Sequence, residues 1–250
     1  KVNRALRARV AVYLNDFAGA LTAIAASFID TTQSLSLGAY HAFGTGSGDV
    51  TNALYDPQGR AIYAHPSIQT DAQARTSATN CVTGAVVASA GRDCRFQTKT
   101  VTLASPKTVQ GITTTLLFNV YRSNVDPVPI IRNEELILLR AEANIGIGGG
   151  GNLTAAIADL NTIRVKAGGL PAYSGAGTAA ALLNELLYNK RYSLLLEGGH
   201  RWIDMRHYAR LATLPQDLPT HVRYSRFPFP INECDARATP PSGCGTQLGF

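Results

Sequence analysis

Apolar side chains recur every three or four residues near both ends of this 250-residue chain and lose that rhythm between them. In RALRARVAVYLNDFAGALTAIAASFI the positions Leu6, Val10, Leu14, Phe17, Leu21 and Ile24 keep the spacing, and Asn15-Asp16 interrupt it as a turn followed by an N-cap would. This predicts a helical hairpin over residues 1–30. The stretch NEELILLRAEANIGIGGGGNLTAAIADLNTIRVKAG repeats the plan: one helix from about Asn133, a glycine turn, and a second helix from Asn152 with Ala156, Leu160 and Ile163 facing inward. Ala20 and Ile24 in the first pair match Ala156 and Leu160 in the second at equal offsets from the turn, a spacing like that of tetratricopeptide helix pairs. A further amphipathic helix, LLNELLYNKRYSLLLE, runs up to Gly198-Gly199. Residues 31–130 read differently: Gly, Ser, Thr, Asn, Tyr and Pro dominate, with β-prone runs such as QTKTVTL and TTTLLFNVY. The expectation is a mainly α fold of tetratricopeptide-like helix pairs carrying a long loop-rich insertion with short β-hairpins. It divides into 1–30, 31–130 and 131–250, together forming one compact domain.

Composition limits what this architecture can do. Apolar residues make up 45% of the chain, enough for a sizeable core, and no run reaches the eighteen or so apolar residues of a membrane-spanning helix. The opening KVNRALRARV lacks the pattern of a secretory leader, so the expectation is an intracellular protein or one whose leader is missing. The cysteines favour the second. They form two close pairs among turn-forming residues, Cys81 with Cys94 and Cys234 with Cys244, without C-x-x-C spacing or histidines at zinc-finger distances. Two local disulfides are expected over metal sites, and with them an oxidising compartment. Lys and Arg number 23 against 17 Asp and Glu, a net charge of +6. The basic residues divide between the first ten positions and 189–226 instead of forming one stripe, which argues against nucleic acid and leaves attraction for acidic ligands.

The densest stretch is EGGHRWIDMRHYARL, residues 197–211, with the only tryptophan. On a helix from Gly199, Arg201 and Asp204 stand three apart and can pair, Asp204 and Tyr208 can hydrogen-bond, and Trp202, Met205 and Ala209 form an apolar strip. The two glycines can turn Glu197 back against the arginines. The stretch reads as a brace between helices. His200 and His207 share a helical face without H-E-x-x-H spacing, so no metal is expected. Gly146, Gly148 and Gly151 spell G-x-G-x-x-G after a helix, not the strand that a dinucleotide site needs, so no cofactor is expected either.

Glu197, Gly198, Arg201, Trp202, Asp204 and Arg206, followed by FPFPINECDA, together with LLRAEAN and LNTIR in the preceding helix pair, resemble the SusD/RagB family of bacterial outer-membrane nutrient-binding lipoproteins. The resemblance implies a ligand site made largely by inserted loops and a lipid-anchored position on the outer face of the outer membrane. It also implies a partner, a SusC-like TonB-dependent transporter that receives the glycan or other nutrient. Whole family members are about twice this long, so the chain is expected to be a carboxy-terminal portion, with the lipid anchor outside it.

A non-catalytic oligosaccharide binder is the first reading. The insertion supplies rings and polar groups suited to sugars in Tyr40, His41, Asn52, Tyr55, Asp56, Arg60 and Tyr63. A helical scaffold that binds a peptide or the transporter, with no small ligand, is the alternative. An enzyme using Glu197 and Asp204 as a glycosidase pair comes third, because Arg201 and Arg206 are expected to lower both carboxyl pKa values.

Overall fold

The computed structural model describes residues 1–56, 62–149, 151–227, 229–242 and 244. Helices α1 (Val2–Tyr13) and α2 (Phe17–Ala25) form the first hairpin. Asn15 makes the reversal at φ +59°, and the Asp16 carboxylate caps α2 by accepting the Gly19 N–H. Strand β1 (Gly38–His41) and the short helices α3 (Ser67–Thr70) and α4 (Cys94–Lys99) come next, then β2 (Thr100–Val109), β3 (Ile112–Phe118) and β4 (Val128–Arg132). The helical half resumes with α5 (Asn133–Gly146), α6 (Leu153–Lys166), α7 (Ala179–Ser193) and α8 (His200–His207), followed by a 3-10 turn, Leu211–Thr213, and α9 (Ile231–Asp235). The fold is mostly helical, as expected.

Helix α5 lies at the centre and is buried on nearly every side. Its Leu136, Leu139 and Ala143 join Ile24, Ala20 and Ile131 in one apolar cluster, while Ile137, Leu138 and Ala141 meet Ala156, Leu160, Ile163, Leu182 and Leu186 in another. Ala20 and Ala156, and likewise Ile24 and Leu160, are all buried, so the equal offsets in the two pairs correspond to equal roles. The Asn152 side chain caps α6 through the Ala155 N–H.

The phase of α1 differs from expectation. Its inward face is Ala5, Ala8, Ala11 and Val12, whereas Val10 is 55% and Leu14 73% exposed. Small side chains let α1 lie close against α2 and α5, and close backbone approach wins over burying the larger residues of the neighbouring stripe.

The segment between α2 and β4 has its own small core of Ala64, Ile68, Ala72, Phe96 and Leu116, closed by Tyr192 of α7. Strands β2 and β3 pair antiparallel across Gln110 and Gly111, both at positive φ, which is the two-residue turn that suits strand twist. Strand β1 pairs antiparallel with the distant β4, Gly38 opposite Arg132, a contact that no local pattern announces. Hydrogen bonds seat this segment on α7. The Tyr188 hydroxyl accepts the Gln73 N–H at 2.9 Å, the Tyr192 hydroxyl donates to the Ile68 carbonyl at 2.9 Å, and Arg95 donates to Asn189 Oδ1 at 2.9 Å. Cys81–Cys94 and Cys234–Cys244 are both disulfide-bonded.

Candidate functional site

Helix α7 ends at Ser193, earlier than the apolar run suggests, and the chain reverses through Leu196, Gly198 and Gly199, all at positive φ. This reversal places Glu197 against partners that differ from those expected. The Arg132 guanidinium donates to both carboxylate oxygens of Glu197 at 2.9 Å, Lys99 Nζ approaches one of them at 3.3 Å, and Arg132 also binds Glu134 and the Ser193 carbonyl. The start of α5, the end of α4 and the loop after α7 are thereby tied together. Burial works to lower the Arg132 pKa, but Glu134 and Glu197 outweigh it and raise it. For Glu134, burial raises the pKa, while Arg132 and Lys99 prevail and hold the carboxyl below its usual range.

Asp204 is also paired elsewhere. It meets Lys190, not Arg201, and Lys190 binds Glu142 as well, at 2.9 Å; Tyr208 donates to Glu142 at 2.7 Å instead of to Asp204. Lys190 is 1% and Asp204 2% exposed, so this triad of α5, α7 and α8 is sealed. Burial pushes Asp204 up to about 6, with Lys190 pulling down and Glu142 adding to the rise. The expected lowering by arginines is reversed because desolvation dominates. A raised carboxyl is also what a general acid needs, yet one locked to Lys190 and cut off from solvent cannot reach a substrate.

Trp202 is half-buried. Its Nε1 donates to the Tyr224 carbonyl at 2.9 Å, its ring lies 4.9 Å from that of Phe227, and the Arg206 guanidinium sits 5.5 Å from its centroid. It holds the segment after α8 more than it holds two helices together. In the expected apolar strip only Met205 is buried; Ala209 is exposed beyond the helix end, at φ +53°. His200 is buried beside the Tyr13 hydroxyl, and no cluster of metal-ligating side chains occurs among the described residues.

Two of the insertion's ligand candidates, Tyr40 and Tyr63, line different clefts. Tyr40, half-buried on β1, donates to the Ser36 carbonyl and lines a cleft of about 340 Å³ with Lys99, Tyr121, Arg132, Glu134 and Glu197. Tyr63 lines a different cleft, of about 260 Å³, beside Val109 and Thr114. His41 is exposed and packs edge-on against Phe43. Asn52 is 2% exposed, donating to the Asp126 carbonyl and accepting the Leu54 N–H, so it fastens a loop. Tyr55 is half-buried, Asp56 accepts the Ile62 N–H, and Arg60 lies outside the described residues.

A larger cleft, of about 720 Å³, opens where α3 and the β2–β3 turn face α7, α8 and residues 213–224. Arg191 pairs with Asp71 at 2.6 Å and donates to Ser67 at 2.7 Å, and His65 meets Asp217 at 2.9 Å. Arg201 also lines this cleft. The sequence signal was the basic excess in 189–226, where Lys190, Arg191, Arg201, Arg206, Arg210, Arg223 and Arg226 face only Glu197, Asp204 and Asp217.

The sequence model of the SusD family matches residues 105–228, which include β3, α5 to α8 and the whole Glu197–Arg206 motif. A SusD superfamily protein from Bacteroides vulgatus ATCC 8482 shares the fold at 17% identity and a TM-score of 0.51, over 84% of this chain and 52% of its own. A SusD-like protein from Bacteroides fragilis NCTC 9343 does so at 16% identity and a TM-score of 0.57, over 82% of this chain and 53% of its own. The chain thus spans about half the length of these structures. No curated protein matches it in sequence. No helix among the described residues is long and apolar enough to cross a membrane. Residues 105–228, with the bracing motif around α7 and α8, thus carry the SusD/RagB family profile, within a fold that the chain shares with the two SusD-like structures.

Proposed function

We propose that the protein binds a nutrient at the cell surface without transforming it, that the nutrient is an oligosaccharide, and that it passes to a SusC-like TonB-dependent transporter in the outer membrane. The carrying observation is that Glu197 and Asp204, the best acid-base candidates, are both held by buried cations, while one cleft with mixed polar and apolar walls opens at Glu197 and a larger one at Arg191 and Arg201. In this reading the protein is a lipid-anchored outer-membrane lipoprotein and needs no cofactor. The separation of Tyr40 from Tyr63 favours the alternative of a helical scaffold for a peptide or the transporter. A glycan array probed with the full-length protein separates the two. Retention of an oligosaccharide that remains intact on long incubation is expected. Capture of the transporter with no glycan retained supports the scaffold, and turnover lost in Glu197→Gln would establish an enzyme. Alanine at Tyr40, Tyr55 and Tyr63 together weakens glycan binding if the insertion carries the site.

A further inference from the structure

Among the described residues, the arginines that are buried or partly buried have partners, with one exception. Arg95 is held by Asp93, Arg132 by Glu197, Arg140 by Asp159, Arg164 by Glu185, and Arg75 by the carbonyls of Thr79 and Arg92. Arg201 is partly buried in the first turn of α8 and has no hydrogen bond or ion pair among the described residues. Burial and the nearby charge of Arg191 both lower its pKa, so the site disfavours the cation it holds. Its nitrogens are not sealed from solvent, so the guanidinium keeps its fork of N–H donors open to an acceptor entering the cleft.

The two carboxylates in the wall of the large cleft, Asp71 and Asp217, are already engaged by Arg191 and His65. Arg201 is therefore the cation left over. The cleft volume, about 720 Å³, falls within the roughly 300–1,000 Å³ of small-molecule sites. Gln110 and Tyr224 offer hydrogen-bonding side chains around it, Ile112, Leu195 and Pro215 offer apolar surface for the C–H faces of a ring, and exposed Thr220 lies at the rim. A planar fork of N–H donors matches a carboxylate through two parallel hydrogen bonds, which a lysine cannot reproduce. The net charge of +6 adds attraction at longer range.

We propose that this cleft binds an acidic oligosaccharide, with Arg201 receiving the carboxylate of a uronate residue. The assignment rests on the oligosaccharide-binding reading above and narrows its substrate class.

Calorimetric titration of the full-length protein tests it, using uronate-bearing oligosaccharides of several linkages, their carboxyl-reduced neutral counterparts and a sulfated oligosaccharide. The parent should bind at least one uronate oligomer tenfold or more tightly than its reduced form. Arg201→Gln should lose that advantage and melt no lower than the parent, because it removes an unpaired cation beside another. A structural arginine would do the reverse, lowering the melting temperature without selecting between acid and neutral ligands, and that outcome overturns the proposal. Thr220→Glu, an exposed substitution on the rim that leaves Arg201 in place, should weaken uronate binding fivefold or more and spare the neutral form; equal binding of both forms to it and to the parent overturns the proposal. Preference for the sulfated oligomer overturns the carboxylate assignment. Binding of neutral glycans only defeats this inference while sparing the broader function. Binding of no glycan at all defeats both.

Discussion

On α5, α7 and α8 the buried charges answer one another side chain to side chain, Lys190 with Glu142 and Asp204, while Arg164 of α6 meets Glu185 of α7. Between residues 31 and 130 polar side chains commonly answer the backbone: Arg75 donates to the Arg92 carbonyl at 2.9 Å, Arg92 to the Ala72 carbonyl at 2.7 Å, and Asn52 to the Asp126 carbonyl at 2.8 Å. A helix satisfies its own peptide groups and leaves side chains free to pair, whereas irregular chain must borrow side chains to satisfy its peptides. The loop region therefore has fewer free polar groups than its composition suggests. Groups left over sit where the two regimes meet. Arg201 is one, and the buried Oε1 of Glu134, without a hydrogen-bond partner among the described residues, is another.

The sharpest way to break the contrast is to remove a cation from the helical half. Lys190→Met leaves Glu142 and Asp204 buried together without compensation and should cost about 3–5 kcal/mol in urea unfolding. Adding Glu142→Gln and Asp204→Asn should recover much of that loss, since the penalty comes from stranded charge and not from missing volume. A loss below about 1 kcal/mol for Lys190→Met would mean that the triad is solvated and braces nothing.

The loop half should respond to its covalent tie instead. Replacing Cys81 and Cys94 by serine opens a loop of 13 residues' separation, about 3 kcal/mol in the chain-entropy estimate. Proteolysis should then cut first between α3 and α4, with α5 to α7 still protected from hydrogen exchange. Simultaneous loss of protection in both regions would show that they unfold as one unit.

The same contrast explains what was legible in the sequence. Helix pairs, the caps at Asp16 and Asn152, both disulfides and the inward positions Ala156, Leu160 and Ile163 follow from local spacing, and local spacing is what a helix obeys. The partners of Glu197 and Asp204 do not follow from sequence distance, because the nearest arginines in sequence, Arg201 and Arg206, are not the cations that pair with them; Arg132 and Lys190 arrive from other elements. The role of Asn52 has no local signal, since nothing in its neighbourhood reveals that the Asp126 carbonyl needs a donor. The β1–β4 pairing, which sets one wall of the Tyr40 cleft, joins residues about ninety positions apart and leaves no local trace.

A smaller effect tests how the helical triad holds its charge. Asp204 has a folded pKa of about 6, above its ordinary value of 3.8, so it contributes stability fully below about 3.8 and loses it as pH rises through about 6. That shift corresponds to roughly 2–3 kcal/mol. Asp204→Asn should therefore show a flatter stability profile than the parent between pH 4 and 6 in chemical denaturation. Buried His200, whose pKa is lowered chiefly by desolvation, acts in the opposite direction just below its ordinary value of 6.5, and it cancels when the two profiles are subtracted. Parallel profiles would mean that Asp204 stays ionised against Lys190 throughout this range.

Trp202→Ala should have the smallest effect, and it addresses the seam itself. A fully buried aromatic costs about 3–5 kcal/mol on truncation, but Trp202 is half-buried, makes one hydrogen bond to the Tyr224 carbonyl, and packs on Phe227 and Arg206, so about 1–2 kcal/mol is expected. Tyr224 is a wall residue of the large cleft, and freeing its backbone should loosen residues 213–224 without disturbing α5 to α7. Protease sensitivity should therefore rise in that segment while far-ultraviolet circular dichroism stays unchanged, and ligand affinity should fall by more than the stability loss alone explains. A cooperative loss of 3 kcal/mol or more, with the segment no more accessible than before, would place Trp202 in the helical brace and move the boundary between the two regimes beyond residue 224.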